Sequence, residues 1–444
     1  MTRLMHLNAF LMGVGHHEAA WRLPETDVGG NLSLAHFTAL ARTAERGRMD
    51  SIFFADAPAL MGDVRYRPVG QPDPTVLLGA LAAATDRIGL IATASTTYEE
   101  PYNLARRFAA VDHLSGGRAG WNIVTTASPD AGRNFGLETM PNHSDRYARA
   151  DEFVEVVEKL WDSWEDEAVA GDKESGEYAD GDRIHAIDHR GEHFGVLGPL
   201  DLPRSVQGRP VLVQAGSSET GRAFAARWAE AVFTAHQTLA DGQVFYTDLK
   251  TRVGALGRDP DGVKILPGLV PVIGSTEAEA KAAERALEEA IVPEYGLKQL
   301  SAFFGIDMTG VELDAPLPPL PHEDEIEAQK SRFTLVTQLA RRENLTVRQL
   351  LGRLGGGRGH RTFTGTPEQV ADTLQEWFEQ GAADGFNVMP PVLPGGLDLF
   401  VDHVIPELRR RGLFRDEYEG TTLREHLGLE RPESRYAGRE RVAA

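Results

Sequence analysis

Six side chains in this sequence have the types and placement to hold a phosphorylated, hydrogen-bonding ligand. His143 and Tyr147 stand four apart in HSDRYARADEF, at the entrance to an amphipathic run. One helical turn puts both on a single face, where each can donate to a phosphate or a ring carbonyl. Ser218 lies in VLVQAGSSETGRAFA, which reads as a strand, a tight Gly-Ser-Ser loop and a helix start. Free amides and the helix dipole attract an anion there, and small residues let a phosphate approach. Asp56 in SIFFAD, Thr93 in GLIATAST and Asn122 in WNIV lie at or near the ends of apolar runs, where a parallel barrel gathers its chemistry. Each has a plainer reading: Ser218 as an ordinary cap, Asp56, Thr93 and Asn122 as caps of the next turn, His143 and Tyr147 as an exposed polar pair. The Gly-Ser-Ser spacing matches neither a Walker A loop nor GxGxxG, so adenine nucleotides are not indicated.

Other histidines extend the list. His16 and His17 follow the first apolar run and can reach the same opening. His185, His189 and His193 recur every four residues, as ligands on one helical face would. Gly191 between them works against a helix and no HExxH accompanies them, so no metal site is assigned. The chain has no cysteine, which excludes disulfides, thiolate metal sites and cysteine nucleophiles and leaves redox chemistry to a bound cofactor.

The elements that must position these groups alternate. Strands are expected at 7–12, 50–56, 88–93, 119–124, 210–214, 231–234, 265–272 and 386–389, with helices between them opened by Asp73-Pro74, Pro101 and Thr366-Pro367. Repeated strand–helix–strand units predict a parallel sheet, and eight strands are the number that closes a (β/α)8 TIM barrel, an α/β fold. A doubly wound open sheet is the alternative that periodicity leaves open. The acidic, glycine-rich stretch within 165–208 reads as an insertion, and 415–444 as a C-terminal extension. A second insertion, 290–360, carries the Pro-rich 316–321 and the glycine run GRLGGGRGH. At the catalytic end of a barrel it reads as a lid, or as a surface helical pair with a flexible link.

Lys plus Arg number 46 against 66 Asp plus Glu, a net charge of -20 that repels nucleic acid and anionic lipid. No apolar run reaches the roughly 18 residues of a membrane span, and the first residues lack the form of a signal peptide, so a cytoplasmic protein is expected.

Taken in order, WNIVTTASPDAGRNFG, HSDRYARADEFVEVVEKLWDSW, DHRGEHFGVLGPLDLPRSVQGRPVLVQAGSS, GTPEQVAD and DGFNVMPPVLPGGLDLFVDHVIPELRRRGLF resemble the flavin-dependent monooxygenases of the bacterial luciferase superfamily. The branch resembled contains nitrilotriacetate monooxygenase, dibenzothiophene sulfone monooxygenase and a pristinamycin synthase component. The resemblance spans nearly the whole chain, 1–444, as one luciferase-like barrel domain. It implies reduced FMN supplied by a separate NAD(P)H:FMN oxidoreductase, and O2 that adds to the flavin as a 4a-hydroperoxide before a small organic substrate is oxygenated. It also implies paired subunits, as a homodimer or homotetramer. The family's FMN contacts fall on Asp56, Thr93, His143, Tyr147 and Ser218, with Asn122 as a further contact. The sequence departs from many relatives at HHEAAWR, where a His and Gly precede AWR, which leaves catalytic roles for His16 and His17 open. Three readings stand beside this one: a deazaflavin-dependent oxidoreductase on the same barrel, a metal-dependent TIM-barrel hydrolase built on the scattered histidines, and a catalytically idle flavin-binding subunit, against which the intact polar set argues.

Overall fold

A computed structural model describes residues 3–60, 63–68, 70–320, 330–357 and 359–437. The expected positions 321–329 and 358 of the second insertion, and 438–444 of the C-terminal extension, lie outside the described residues. In chain order the strands are β1 (His6–Phe10), β2 (Ser51–Phe54), β3 (Gly89–Ser95), β4 (Ala119–Val124), a two-strand hairpin β5 (His189–Arg190) and β6 (Gly195–Val196), then β7 (Val211–Gln214), β8 (Ala231–Thr234), β9 (Lys264–Ile273), β10 (Arg361–Gly365) and β11 (Gly385–Val388). Apart from the hairpin, every pairing is parallel. The order runs β1-β2-β3-β4-β7-β8-β9-β11, and β11 returns to β1, so eight strands close a ring. This settles the choice between barrel and open sheet in favour of the barrel.

Side-chain alternation builds two cores. Phe10, Phe53, Ile91, Val211, Val213, Ala231, Leu266 and Met389 pack inside the ring. The opposite phase, including Leu7, Ile52, Phe54, Leu90, Trp121 and Ile123, packs outward against helices. Strands buried on both faces read as short apolar runs, which is why the sequence marks them. The helices are α1 (Leu34–Arg46), α2 (Pro74–Ala82), α3 (Pro101–Ser115), α4 (Pro129–Asn134), α5 (His143–Trp161), α6 (Glu219–Trp228), α7 (Leu239–Ala255), α8 (Glu277–Glu289), α9 (Pro293–Phe304), α10 (Lys330–Glu343), α11 (Val347–Gly357) and α12 (Pro367–Glu379), followed by a helix broken by a π turn at Phe400–Val404 and a single turn at Leu423–His426.

Two features differ from the sequence reading. Strand β10 was not expected; it pairs only with the far end of β9, outside the closed ring. The glycine run is not a flexible link over its described length, because GRLGGG is the end of α11. Its glycines serve close packing: a Cβ on Gly352 would stand 2.7 Å from Glu288 Oε1, and one on Gly355 3.1 Å from Ile291. Helices α9 to α11 hold their own apolar cluster, with Leu300, Phe304, Met308, Phe333, Val336 and Leu350 buried together.

The segment after residue 415 closes the bottom of the barrel. Leu423 and Leu427 join the interior cluster. Glycines in β3 and β4 make room: a Cβ on Gly89 would come within 2.4 Å of Leu423 Cδ1. At the same end, Asp112 is fully buried and accepts from the Ala119 amide at 2.9 Å and Gln207 Nε2 at 2.6 Å. Burial, only partly offset by these hydrogen bonds, pushes its carboxyl up to about 6. A folded-state value above the unfolded one means the folded chain binds more protons between the two, so stability falls as pH rises through that window. An Asp112→Asn variant, which keeps the acceptor, is therefore expected to gain about 1 kcal/mol on the parent between pH 5 and pH 8, read as the difference in thermal midpoints. An unchanged difference across that range refutes the assignment.

Candidate active site

The sequence-derived residues occupy consecutive positions on one arc of the barrel's carboxyl rim. Asp56 follows β2, Thr93 lies in β3, Asn122 in β4, His143 and Tyr147 in the first turns of α5 after β4, and Ser218 after β7. Thr93 and Asn122 are register partners. Thr93 Oγ1 donates to the Phe54 carbonyl at 2.9 Å and accepts from Asn122 Nδ2 at 2.8 Å. Since Trp121 and Ile123 face the helices, Asn122 faces inward. Its Oδ1 is buried and has no hydrogen-bond partner among the described residues. A buried, unsatisfied amide oxygen is costly, so a donor from a bound ligand suits it.

A second group forms between α5 and α6. The His143 and Tyr147 rings lie 4.8 Å apart, and Tyr147 packs edge-on against Phe224 of α6 at 5.6 Å. Ser218 caps α6, its Oγ accepting from the Gly221 amide at 3.1 Å. The capping reading of Ser218 is thus correct as far as it goes, and it leaves the other first-turn amides without intrahelical acceptors. His143 is exposed and Tyr147 half-buried. Asp56 reaches solvent, yet partial desolvation, then repulsion from Asp73 and Glu99, raises its carboxyl above the ordinary range. The structure brings Thr93 to Asn122, and His143 to Tyr147 and, through Phe224, to the helix that Ser218 caps. Asp56 stands beside the first group, two residues beyond the carbonyl that Thr93 binds.

His16 and His17 line the opposite arc. His16 is buried, with Nε2 2.9 Å from the Phe10 carbonyl and its ring 4.6 Å from the Phe10 ring. His17 faces α11, within 3.5 Å of where Cβ atoms on Gly355 and Gly356 would lie. Two rim histidines were missed. His360 stacks flat on Phe233 at 4.8 Å; its signal was the alternating RTFTG that follows it. His236 binds Thr234 Oγ1 at 2.8 Å, and desolvation lowers it to about 4, so it is neutral at pH 7. The histidine triplet serves structure: His185 meets Glu165 at 2.8 Å, His189 meets Glu152 at 3.0 Å, and the His193 amide binds the same Glu152.

A closed parallel barrel with its polar groups on the carboxyl rim places this protein among barrel enzymes, and comparison with known proteins narrows the class. Residues 12–384 match the family of luciferase-like monooxygenases. The chain is 49% identical over 432 residues to N-acetyl-S-(2-succino)cysteine monooxygenase of Bacillus subtilis (strain 168), covering 97% of this chain and 98% of that one. It is 48% identical to nitrilotriacetate monooxygenase component A of Aminobacter aminovorans, covering 98% and 99%. Among solved structures, a riboflavin lyase with modified FMN and substrate riboflavin superposes with a TM-score of 0.85 at 34% identity, covering 98% of each chain. The chain belongs to the luciferase-like monooxygenase family and is a flavin-dependent monooxygenase. No helix among the described residues is long and apolar enough to cross a membrane.

Proposed function

We propose that this chain is the oxygenating subunit of a two-component system that takes reduced FMN from a separate NAD(P)H:FMN oxidoreductase and uses O2 to oxygenate a small organic substrate. The observation that carries the reading is the continuous rim arc from Asp56 to Ser218, with the unsatisfied Asn122 Oδ1 at its inner edge. The relative named as component A supports a second protein in the system. Bound reduced FMN supplies the two electrons that activate O2. The chain's own residues bind and orient. Asn122 and Thr93 meet polar ring edges, with Asn122 Oδ1 accepting. Ser218, the first-turn amides of α6 and Tyr147 hold the phosphate, and His143 adds a donor at its outer edge. Asp56, on the rim just after β2, adds a carboxyl hydrogen-bonding group beside Thr93 and Asn122.

Helices α9 to α11 pack on the loops that follow β1 and β2: the Glu18 amide binds the Gly355 carbonyl at 2.9 Å, and the rings of Tyr66 and Tyr295 lie 5.7 Å apart. We assign this segment as a lid that keeps water from the reacting centre. Tryptic cleavage within α10 and α11 is expected to slow when FMN is added; unchanged cleavage argues against the lid. The reading as a whole is tested by anaerobic titration followed by oxygen. Reduced FMN is expected to bind more tightly than oxidised FMN, and the protein is expected to change the rate at which reduced FMN reoxidises. Equal weak binding of both forms, with reoxidation as in buffer, sinks the proposal.

A further inference from the structure

Strands β11, β1 and β2 meet where the last strand of the ring closes on the first, and one row of residues crosses them at equal height. Asn387, Asn8 and Ser51 are register partners in that order. Alternation sets their direction. Phe386, Val388, Leu7, Ala9, Ile52 and Phe54 pack outward against the helices, while Met389, Phe10 and Phe53 pack inside the ring, so the three polar residues face inside as well. Neighbouring strands stand about 4.8 Å apart, which sets the three side chains side by side. All are buried, with Asn387 and Asn8 2% exposed and Ser51 0%. Asn387 Nδ2 donates to the Leu266 carbonyl at 3.1 Å. Asn387 Oδ1, Asn8 Oδ1 and Ser51 Oγ have no hydrogen-bond partner among the described residues, one another included.

The row is enclosed on every side that the register defines. It continues to Gly268 at one end and Gly89 at the other. A Cβ on Gly268 would stand 2.4 Å from His360 Nδ1 and 2.7 Å from Met389 Sδ, and one on Gly89 2.4 Å from Leu423 Cδ1, so both ends are filled. Two residues further along the strands, Met389, Phe10, Phe53 and Ile91 form an apolar layer, and Thr93 and Asn122 lie beyond it. Gly89 and Thr93 are four residues apart on β3, about 13 Å. A flavin held by Thr93 and Asn122 therefore does not reach the row. Burying polar atoms without partners is costly, and two amide oxygens beside a hydroxyl call for a group that both donates and accepts. Water is such a group: it donates to the two amide oxygens and pairs with the hydroxyl, three bonds being typical of a buried water. A cation would find no carboxylate in the row, and its charge would be buried without compensation.

We propose that Asn8, Ser51 and Asn387 form a binding site for an ordered internal water, sealed beneath the apolar layer and separate from the proposed flavin site. The water completes the polar row and ties β11, β1 and β2 together at the seam that closes the barrel. A crystal structure of the full chain, grown from rubidium chloride, is the test. An electron-density peak about 2.7–3.2 Å from all three atoms, with no rubidium anomalous signal, is the expected result. No peak, a rubidium signal at the peak, or the Asn8 and Asn387 amides bonded directly to each other with nothing between them each overturn the proposal. Thermal unfolding adds a solution readout. Asn8→Leu and Asn387→Leu are each expected to lower the thermal midpoint by a few degrees, and the double variant by less than the two shifts together, because both amides hold the same water. Shifts that simply add overturn the shared site.

Discussion

A Ser218→Asp variant is expected to lose about a hundredfold in affinity for FMN while keeping its affinity for riboflavin and its thermal stability. One side chain has two separable roles here. As a cap, Ser218 accepts the Gly221 amide at 3.1 Å, and aspartate caps a helix as well as serine does. Helix α6 should therefore form unchanged, and the added charge even suits its dipole. As a phosphate contact, the same position becomes an anion beside an anion. At about 4 Å and an effective dielectric near 20 the repulsion is roughly 4 kcal/mol for unit charges. Half-burial and salt reduce that to about 2–3 kcal/mol, which sets the hundredfold figure. Fluorescence titration with the two flavins measures it. If both lose affinity equally, the phosphate does not sit at α6; if neither does, Ser218 is a cap and nothing more.

That prediction could be framed from the sequence because local chemistry announced it: a strand, two small polar residues and a helix start are contiguous. Asn122 was legible for a related reason, since a polar residue at an inward position of an otherwise apolar strand stands out. What escaped the sequence depends on contacts distant along the chain. Strand β10 is largely half-buried and pairs on one side only, so RTFTG lacks the apolar run of the doubly buried strands. The glycines of α11 look like a linker until Glu288 and Ile291 are seen to occupy the space their side chains would need. His360 was hidden in the same string, and its place beside Phe233 is fixed by the meeting of β8 with the residue that precedes β10. The tail from 415 reads as an extension, because nothing in EYEGTTLREHLGLE states that its three leucines join the barrel floor, with Leu423 in space cleared by glycines more than 300 positions earlier.

The tail also carries the largest expected loss of stability. Arg424 meets Glu230 in a two-point pair, Nη1 to Oε1 at 2.5 Å and Nη2 to Oε2 at 3.1 Å, with side chains 3% and 16% exposed. Glu230 also accepts the Leu212 amide at 3.0 Å, so the pair ties the tail to the start of β7. Burial alone would raise the Glu230 carboxyl; the charge and hydrogen bonds of Arg424, then Arg209, hold it below its ordinary value. In the parent, this contribution is complete above the unfolded value and is lost as pH falls through the folded one. Arg424→Met takes away the two-point partner of a buried carboxylate and leaves it Arg209, itself 3.3 Å from both Glu158 and Asp162, and the more distant Arg258, and should cost about 3–5 kcal/mol at neutral pH. With its partner gone, burial prevails and the folded-state value rises, so the variant's deficit should shrink on acidification, when Glu230 can protonate. Adding Glu230→Gln to Arg424→Met should recover part of the loss, because it removes the unpaired charge and keeps an acceptor for Leu212. Urea unfolding of the parent, both single variants and the double at pH 5 and pH 8 closes the cycle. A loss below about 1 kcal/mol, the scale of an exposed pair, would show that the tail does not seal the barrel through this contact.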